Sequence, residues 1–296
     1  MGYKSGYAAV IGRPNSGKST LINAITGEKV SIISNKPQTT RNIIKGIITD
    51  EESQIIFVDT PGIYDAENKL GEKMVRAAES LLWNADVIIY IVDVHRRGYL
   101  KDSEYIISLL KKISSPVILV LNKIDLLASK SDILPIIEAF SGKLEFYGII
   151  PVSARNNDGT SLVHKTIKEL LPEGESIYPE EIYTDQTEKF LVSEIIREKL
   201  FESLGDEIPY GVHVDVVRFN ENPNNGVIEL MADIYCEKSG HKAIIIGKNG
   251  SHLKKIGTRA REDIEKVLAA KVYLQLWVKA RNEWRDDENF LRRLGL

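Results

Sequence analysis

Gly12-Arg13-Pro14-Asn15-Ser16-Gly17-Lys18-Ser19 is the stretch that decides how this chain folds. It follows the short apolar run Ala8 to Ile11 and leads into a helical pattern starting near Lys18, the strand, glycine turn and helix of a phosphate-binding loop. Four fixed positions coincide by chance in roughly one chain in a hundred of this size, and the flanking strand and helix lower that figure further. Glycines let backbone N–H groups turn inward around phosphates, and the helix start adds positive potential. The Lys18 ammonium can reach terminal phosphates and the Ser19 hydroxyl can ligate magnesium. Asn15, Ser16, Gly17 and Thr20 belong to the same cradle.

Outward from this loop, β-rich runs at 8–11, 43–49, 54–59, 87–93, 117–122 and 148–152 alternate with helical patterns as far as residue 171. That alternation predicts an α/β P-loop domain over 1–171, a six-stranded, mostly parallel sheet with helices on both faces. Only Asp50-Glu51-Glu52-Ser53 separates the second run from the third, too short for a helical crossover, so this pair is expected to be an antiparallel hairpin and the sheet mixed. Residues 172–186 contain Pro172, Gly174, Pro179 and five acidic residues without an apolar period, and read as a linker. An α+β domain is expected over 187–296. Val192, Ile195, Ile196 and Leu200 keep helical spacing, two alternating strands flank Asn222-Pro223-Asn224-Asn225-Gly226, two helices flank Gly247-Lys248-Asn249-Gly250, and a strand with Val272, Leu274, Leu276 and Val278 on one face precedes a last helix near 286–294. A length of 296 residues suits two domains.

Composition narrows the class. Hydrophobic residues at 43% and charged ones at 27% exclude a disordered or collagen-like chain. No apolar run approaches the 18 or more residues of a membrane span and no signal-like region opens the chain, so a cytoplasmic protein is expected. Cys236, the single cysteine, cannot form an internal disulfide. The net charge of −3 conceals a one-sided stretch: from Lys238 to Arg261 there are basic residues at 238, 242, 248, 254, 255, 259 and 261 and no Asp or Glu.

Three further motifs specify the nucleotide. Asp59-Thr60-Pro61-Gly62 ends the third strand, where Asp59 can hold the metal and the Gly62 N–H can meet a γ-phosphate; the pattern is weak alone and gains force from its position. Asn122-Lys123-Ile124-Asp125 ends the fifth strand. Guanine presents N1–H and N2–H₂ side by side, which the Asp125 carboxylate can accept together, whereas adenine would leave that carboxylate unpaired. Ser153-Ala154, after the sixth strand, is placed for a loop N–H to reach guanine O6. Ile63 stands where signalling GTPases carry a water-orienting Gln, so hydrolysis is expected to be slow or to use another device. Residues 28–42 read as a mobile switch, with Thr40 as the second hydroxyl on magnesium and Thr39 as its rival.

With Lys36-Pro37-Gln38-Thr39-Thr40-Arg41, Gly247-Lys248-Asn249-Gly250 and Trp284-Arg285-Asp286-Asp287 added, the chain resembles Era-type GTPases over nearly its whole length, and the α-β-β-α-α-β order of the second domain resembles a type II KH domain. The resemblance implies GTP and GDP with Mg2+ as cofactors and Lys18, Thr40, Gly62 and Asn15 as the catalytic set. It further implies that the hydrophobic residue after Gly62 goes with Asn15 helping to hold K+ in place of an arginine finger; the alternative is that Asn15 only shapes the loop. Gly247, Lys248, Asn249 and Gly250, with Lys254, Lys255 and Arg259 on the outer face of the next helix, are expected to receive a single-stranded RNA backbone. The resemblance alone names the target: the 3′ end of the small-subunit rRNA, in assembly of the small (30S-type) ribosomal subunit. The competing expectation is a GTP-dependent regulator of the cell cycle acting through protein or peripheral membrane contacts at the inner face of the cell membrane.

Overall fold

Strands too apolar to face water on either side set the frame of the first part of the molecule. In the computed structural model, which describes residues 2–32, 36, 39–205, 207–222 and 226–296, the chain forms two compact units. Residues 1–67 and 71–185 make one, and 68–70 with 186–296 the other. Of the expected switch over 28–42, residues 33–35, Pro37 and Gln38 lie outside the described residues, as do Pro223, Asn224 and Asn225 of the expected turn.

The first unit runs β1 (Lys4–Ile11), α1 (Lys18–Thr26), β2 (Ile44–Thr49), β3 (Ser53–Asp59), α2 (Lys69–Leu82, from Gly71 on), β4 (Val87–Asp93), α3 (Tyr99–Leu110), β5 (Val117–Asn122), α4 (Ile133–Ser141), β6 (Gly148–Val152) and α5 (Thr160–Leu170). Every residue of β3 and β5 is buried, as a sheet with helices on both faces demands. The strand order is β2-β3-β1-β4-β5-β6, parallel throughout except for the β2–β3 hairpin. Asp50 builds that turn: its Oδ1 accepts from the N–H groups of Glu52 and Ser53 at 2.9 and 2.8 Å. β1 starts four residues earlier than its apolar run, because Lys4 to Tyr7 pair with Ser53 to Ile56 of β3.

Residues 172–185, expected to be linker, pack on this unit. Gln54, fully buried, accepts from the N–H groups of Ile177 and Tyr178 at 2.8 Å each. Its amide donates to Tyr178 O and Thr49 Oγ1 at 2.8 and 2.9 Å. Ile47 N–H donates to Tyr183 O at 2.8 Å and Lys45 Nζ lies 2.8 Å from Asp185. These bonds are made to backbone and charge rather than to an apolar face, so no hydrophobic period announces them.

The second unit comprises α6 (Glu188–Ser203), β7 (His213–Glu221), β8 (Ile228–Cys236), α7 (Ser239–Ile246), α8 (Ser251–Leu268), β9 (Val272–Ala280) and α9 (Glu288–Arg293). Its sheet has the order β7-β8-β9, antiparallel then parallel. Val192, Ile196 and Leu200 of α6 and Ile256, Ala260 and Ile264 of α8 share one core with the inner face of the sheet, including Cys236. A bulge between Val216 and Arg218 breaks the alternation of β7 and leaves Val217 exposed. The motif at 284–287 has structural work to do: Trp284 is buried with Nε1 donating to Gly211 O at 2.9 Å, Arg285 grips Glu237 with two bonds, and Asp287 caps α9 by accepting from Phe290 N–H at 3.0 Å.

Candidate functional site

Parallel strands release their chain at one edge of the sheet, and ligands of such sheets bind there. β1, β3, β4 and β5 deliver Gly12, Asp59, Asp93 and Asn122 to that edge, and β6 delivers Ser153. The loop after β1 bends through Gly17 at φ 101°. A Cβ there would sit 2.1 Å from the Asn122 amide nitrogen, so the glycine is what allows the phosphate loop to approach β5. Lys18 is buried and curls over its own loop, with Nζ 3.1 Å from Arg13 O and 3.4 Å from Gly12 O. Burial pushes its ammonium down to about 8, an effect that Asp59 partly offsets. Asn15, Gly17, Lys18, Ser19, Thr20 and Gly62 line the cleft together with Thr39 and Thr40; Ser16 is buried just behind it.

Beside Lys18 lies a knot of oxygens. Ser19 Oγ donates to Asp59 Oδ2 at 2.6 Å and is 3.0 Å from Thr40 Oγ1, which itself reaches Asp59 Oδ2 at 3.4 Å. Thr39 turns its hydroxyl to Lys36 O at 2.6 Å, so Thr40 rather than Thr39 joins this knot. Burial pushes the Asp59 carboxyl up, against the pull of Lys18 and of the hydroxyls of Ser19, Ser31 and Thr40. Its Oδ1 has no hydrogen-bond partner among the described residues. Two hydroxyls and a carboxylate with an unused oxygen form an all-oxygen donor set, which fits magnesium. Ile63 is buried in the core, with its N–H donating to Gly12 O at 3.0 Å, so its side chain offers water nothing.

The base-recognition corner is held together by Asn122. Its amide donates to Ser16 O at 2.8 Å and its Oδ1 accepts from Ala154 N–H at 3.0 Å, tying the phosphate loop, β5 and the loop after β6 into one piece. Asp125 is exposed and accepts from Ser153 Oγ at 2.6 Å. Ser153 N–H donates to Asp158 O at 3.0 Å. The amides of Ser153 and Ala154, one of which is expected to reach guanine O6, are therefore both engaged inside the protein, and a base oxygen would have to share one. Lys123 sits in the left-handed region at φ 69° with Nζ 2.5 Å from Asp93 Oδ2. Asp93 was not among the expected site residues; a lone acid at the end of an apolar strand was its only signal.

In the second unit Gly247-Lys248-Asn249-Gly250 forms the tight link between α7 and α8. Gly247 has φ 72° and ψ 175°, a conformation essentially reserved for glycine, and a Cβ there would meet His252 at 2.6 Å. Lys248, Lys254 and Lys255 are exposed. Arg259 is also exposed, with its guanidinium 2.5 Å from Glu202 of α6, a half-exposed ion pair with which an RNA phosphate would compete. A groove of about 450 Å³ runs between α8 and β9, lined by Leu253, Gly257 and Arg261 on one side and by Tyr273 and Leu276 on the other. Its apolar floor, exposed tyrosine and basic rim suit unstacked bases; Arg261 and Tyr273 are additions to the expected set.

Residues 7–123 match the family model described as 50S ribosome-binding GTPase, and residues 207–285 match that of the KH domain. The chain is 50% identical over 295 residues to the GTPase Era of Ruminiclostridium cellulolyticum, covering 100% of this chain and 98% of that one. A crystal structure of an Aquifex aeolicus Era variant bound to GDP·AlF4− superposes with a TM-score of 0.94 at 39% identity, over 99% of each chain. A crystal structure of Era in complex with MgGDPNP and nucleotides 1506–1542 of 16S ribosomal RNA does so with a TM-score of 0.95, also at 39% identity and 99% of each chain.

Proposed function

The chain belongs to the Era family of GTPases, and on that premise we propose that it is a GTP-hydrolysing switch that binds single-stranded rRNA at the 3′ end of the small-subunit RNA and assists assembly of the small ribosomal subunit in the cytoplasm. The observation that carries this reading is the placement of a phosphate loop, an oxygen knot and a guanine-selective carboxylate along one sheet edge of a chain that also folds a KH unit. The loop N–H groups and Lys18 hold the phosphates. Asp125 accepts the two guanine donors, and Asn122 keeps that corner at a fixed distance from the phosphate loop. Ser19, Thr40 and Asp59 hold magnesium, which when bound neutralises charge on the β- and γ-phosphates. Thr40 and Gly62 are the residues that lose their ligands when the γ-phosphate leaves, and their release makes hydrolysis a conformational signal. With Ile63 unable to orient water, the intrinsic rate is slow, and Asn15 is the candidate to hold a potassium ion against the phosphates.

RNA binding tests the reading as a whole. An oligonucleotide with the sequence of the small-subunit rRNA 3′ end should bind the GTP-analogue and GDP forms with affinities that differ by about 5- to 100-fold. Gly250→Asp should abolish that binding. It is a milder variant than Gly247→Asp: a Cβ at Gly250 meets nothing within 4 Å, whereas one at Gly247 meets His252 at 2.6 Å, and the left-handed φ of 75° at Gly250 is one that Asp tolerates better than most residues. Equal RNA affinity in the two nucleotide states, or an unaffected Gly250→Asp protein, contradicts the proposal.

A further inference from the structure

Asn23, in the middle of α1, is an unfavourable residue for a helix interior, and its side chain is spent on the segment that follows. Its Oδ1 accepts from the N–H groups of Val30 and Ser31 at 3.1 Å each, and its Nδ2 donates to Ser31 O at 2.7 Å. Residues 30 and 31 are thereby fixed to the helix that carries Lys18 and Ser19. Ser31 is only 2% exposed. Its hydroxyl faces Asp59, yet Ser31 Oγ makes no hydrogen bond of ordinary geometry among the described residues, and neither does Asp59 Oδ1. Buried oxygens left unmatched in this way are costly to desolvate, so a ligand that supplies them with donors is favoured. Magnesium keeps several of its waters when bound by protein, and a water on the metal has two protons to give, one for each of these acceptors.

We propose that Ser31, clamped by Asn23, is a positioning residue of the magnesium site that shares a water of the metal's shell with Asp59. The proposal rests on the reading above, in which Ser19, Thr40 and Asp59 hold magnesium beside the nucleotide. It makes a distinction that Thr40 cannot imitate. Thr40 lies on the segment that relaxes when the γ-phosphate is lost, whereas Ser31 stays with α1, so Ser31 serves the metal in both nucleotide states.

The test is a magnesium titration of the full chain loaded with a fluorescent GDP and, separately, with a fluorescent non-hydrolysable GTP analogue, read as the rate of nucleotide release. Ser31→Ala should raise the magnesium concentration for half-maximal retention by about 10- to 100-fold with both nucleotides, the usual scale for partners of metal ligands. Asn23→Ala should shift it in the same direction and Ser31→Thr, which keeps the hydroxyl, should restore it. An unshifted Ser31→Ala titration overturns the proposal, as does a shift confined to the GTP analogue or nucleotide loss that saturating magnesium does not rescue. If release from the unmodified protein ignored magnesium altogether, the underlying assignment of the metal site would fail instead, a result distinguishable from the others.

Discussion

The two ends of the nucleotide cleft are built on opposite plans. At the base end each named polar group already has a partner: Asn122 is satisfied at both its atoms, Ser153 holds Asp125, and Asp93 holds Lys123. At the phosphate end Lys18 is buried against carbonyls of its own loop and its ammonium pushed down to about 8, the Asp59 carboxyl is pushed up, and the oxygens Asp59 Oδ1, Ser16 Oγ and Ser31 Oγ lack partners among the described residues. The contrast teaches that selectivity for the base is organised before the ligand arrives, whereas the phosphate end reaches its best electrostatic state only with the ligand in place. Nucleotide should then stabilise the fold through the phosphate end above all.

The largest effect expected from this contrast is at Asp125. Asp125→Asn sets an amide donor against a guanine donor, and GTP affinity should fall by roughly 10³-fold or more, since a site built to pair a group rejects one that mismatches it. Xanthosine triphosphate, which offers an acceptor at position 2, should gain what GTP loses; a competition assay in which GTP still wins would break the claim that the base end is a preset reader. A smaller effect concerns Asn15. GTPase turnover should be about tenfold or more faster in potassium than in sodium, a modest share of what positioned charge supplies in active sites, and Asn15→Ala should erase the difference. Equal rates in the two salts remove potassium from the phosphate end.

The smallest effect sharpens the contrast by counting protons. A lysine lowered from 10.5 to about 8 means that, between those values, the nucleotide-free fold binds fewer protons than the unfolded chain. Its stability therefore rises with pH across that window and is penalised below it. Phosphates that pair with Lys18 raise its pKa again, so GTP binding at pH 8.5 and saturating magnesium should take up roughly half a proton or more. Calorimetry in buffers of different ionisation enthalpy measures the uptake, and Lys18→Met should lack it. No difference between the two proteins would mean that Lys18 is charged throughout.

What could be read in advance follows from what leaves a periodic or motif-shaped trace. Strands such as Val117–Asn122 are buried runs, and the four-residue connection from Asp50 to Ser53 permits only a hairpin; both are local facts. The phosphate loop is legible because its chemistry fixes residue types at fixed spacing. Asn23, Ser31, Asp93 and Gln54 were not legible in this way. Each is an ordinary polar residue whose partner lies several to more than a hundred positions away, and pairing of that kind has no period. The ion pair of Arg259 with Glu202 is of the same kind, since a basic residue on an outer helix face gives no sign of a carboxylate on another helix. The ribosomal target is likewise outside what these residues can say unaided; only the likeness to a family supplied it.

β2 is the outermost strand of its sheet, and an outermost strand presents unmatched backbone groups that invite another molecule to extend it. The tail from Ile177 to Asp185 lies along that margin, fastened by Gln54 and Lys45 and accepting the Ile47 N–H. It thus acts as a selvedge that finishes the fabric. A G domain trimmed at residue 171, where apolar patterning stops, would lose that border and be prone to self-association, whereas one ending at 185 would carry its own protection against it.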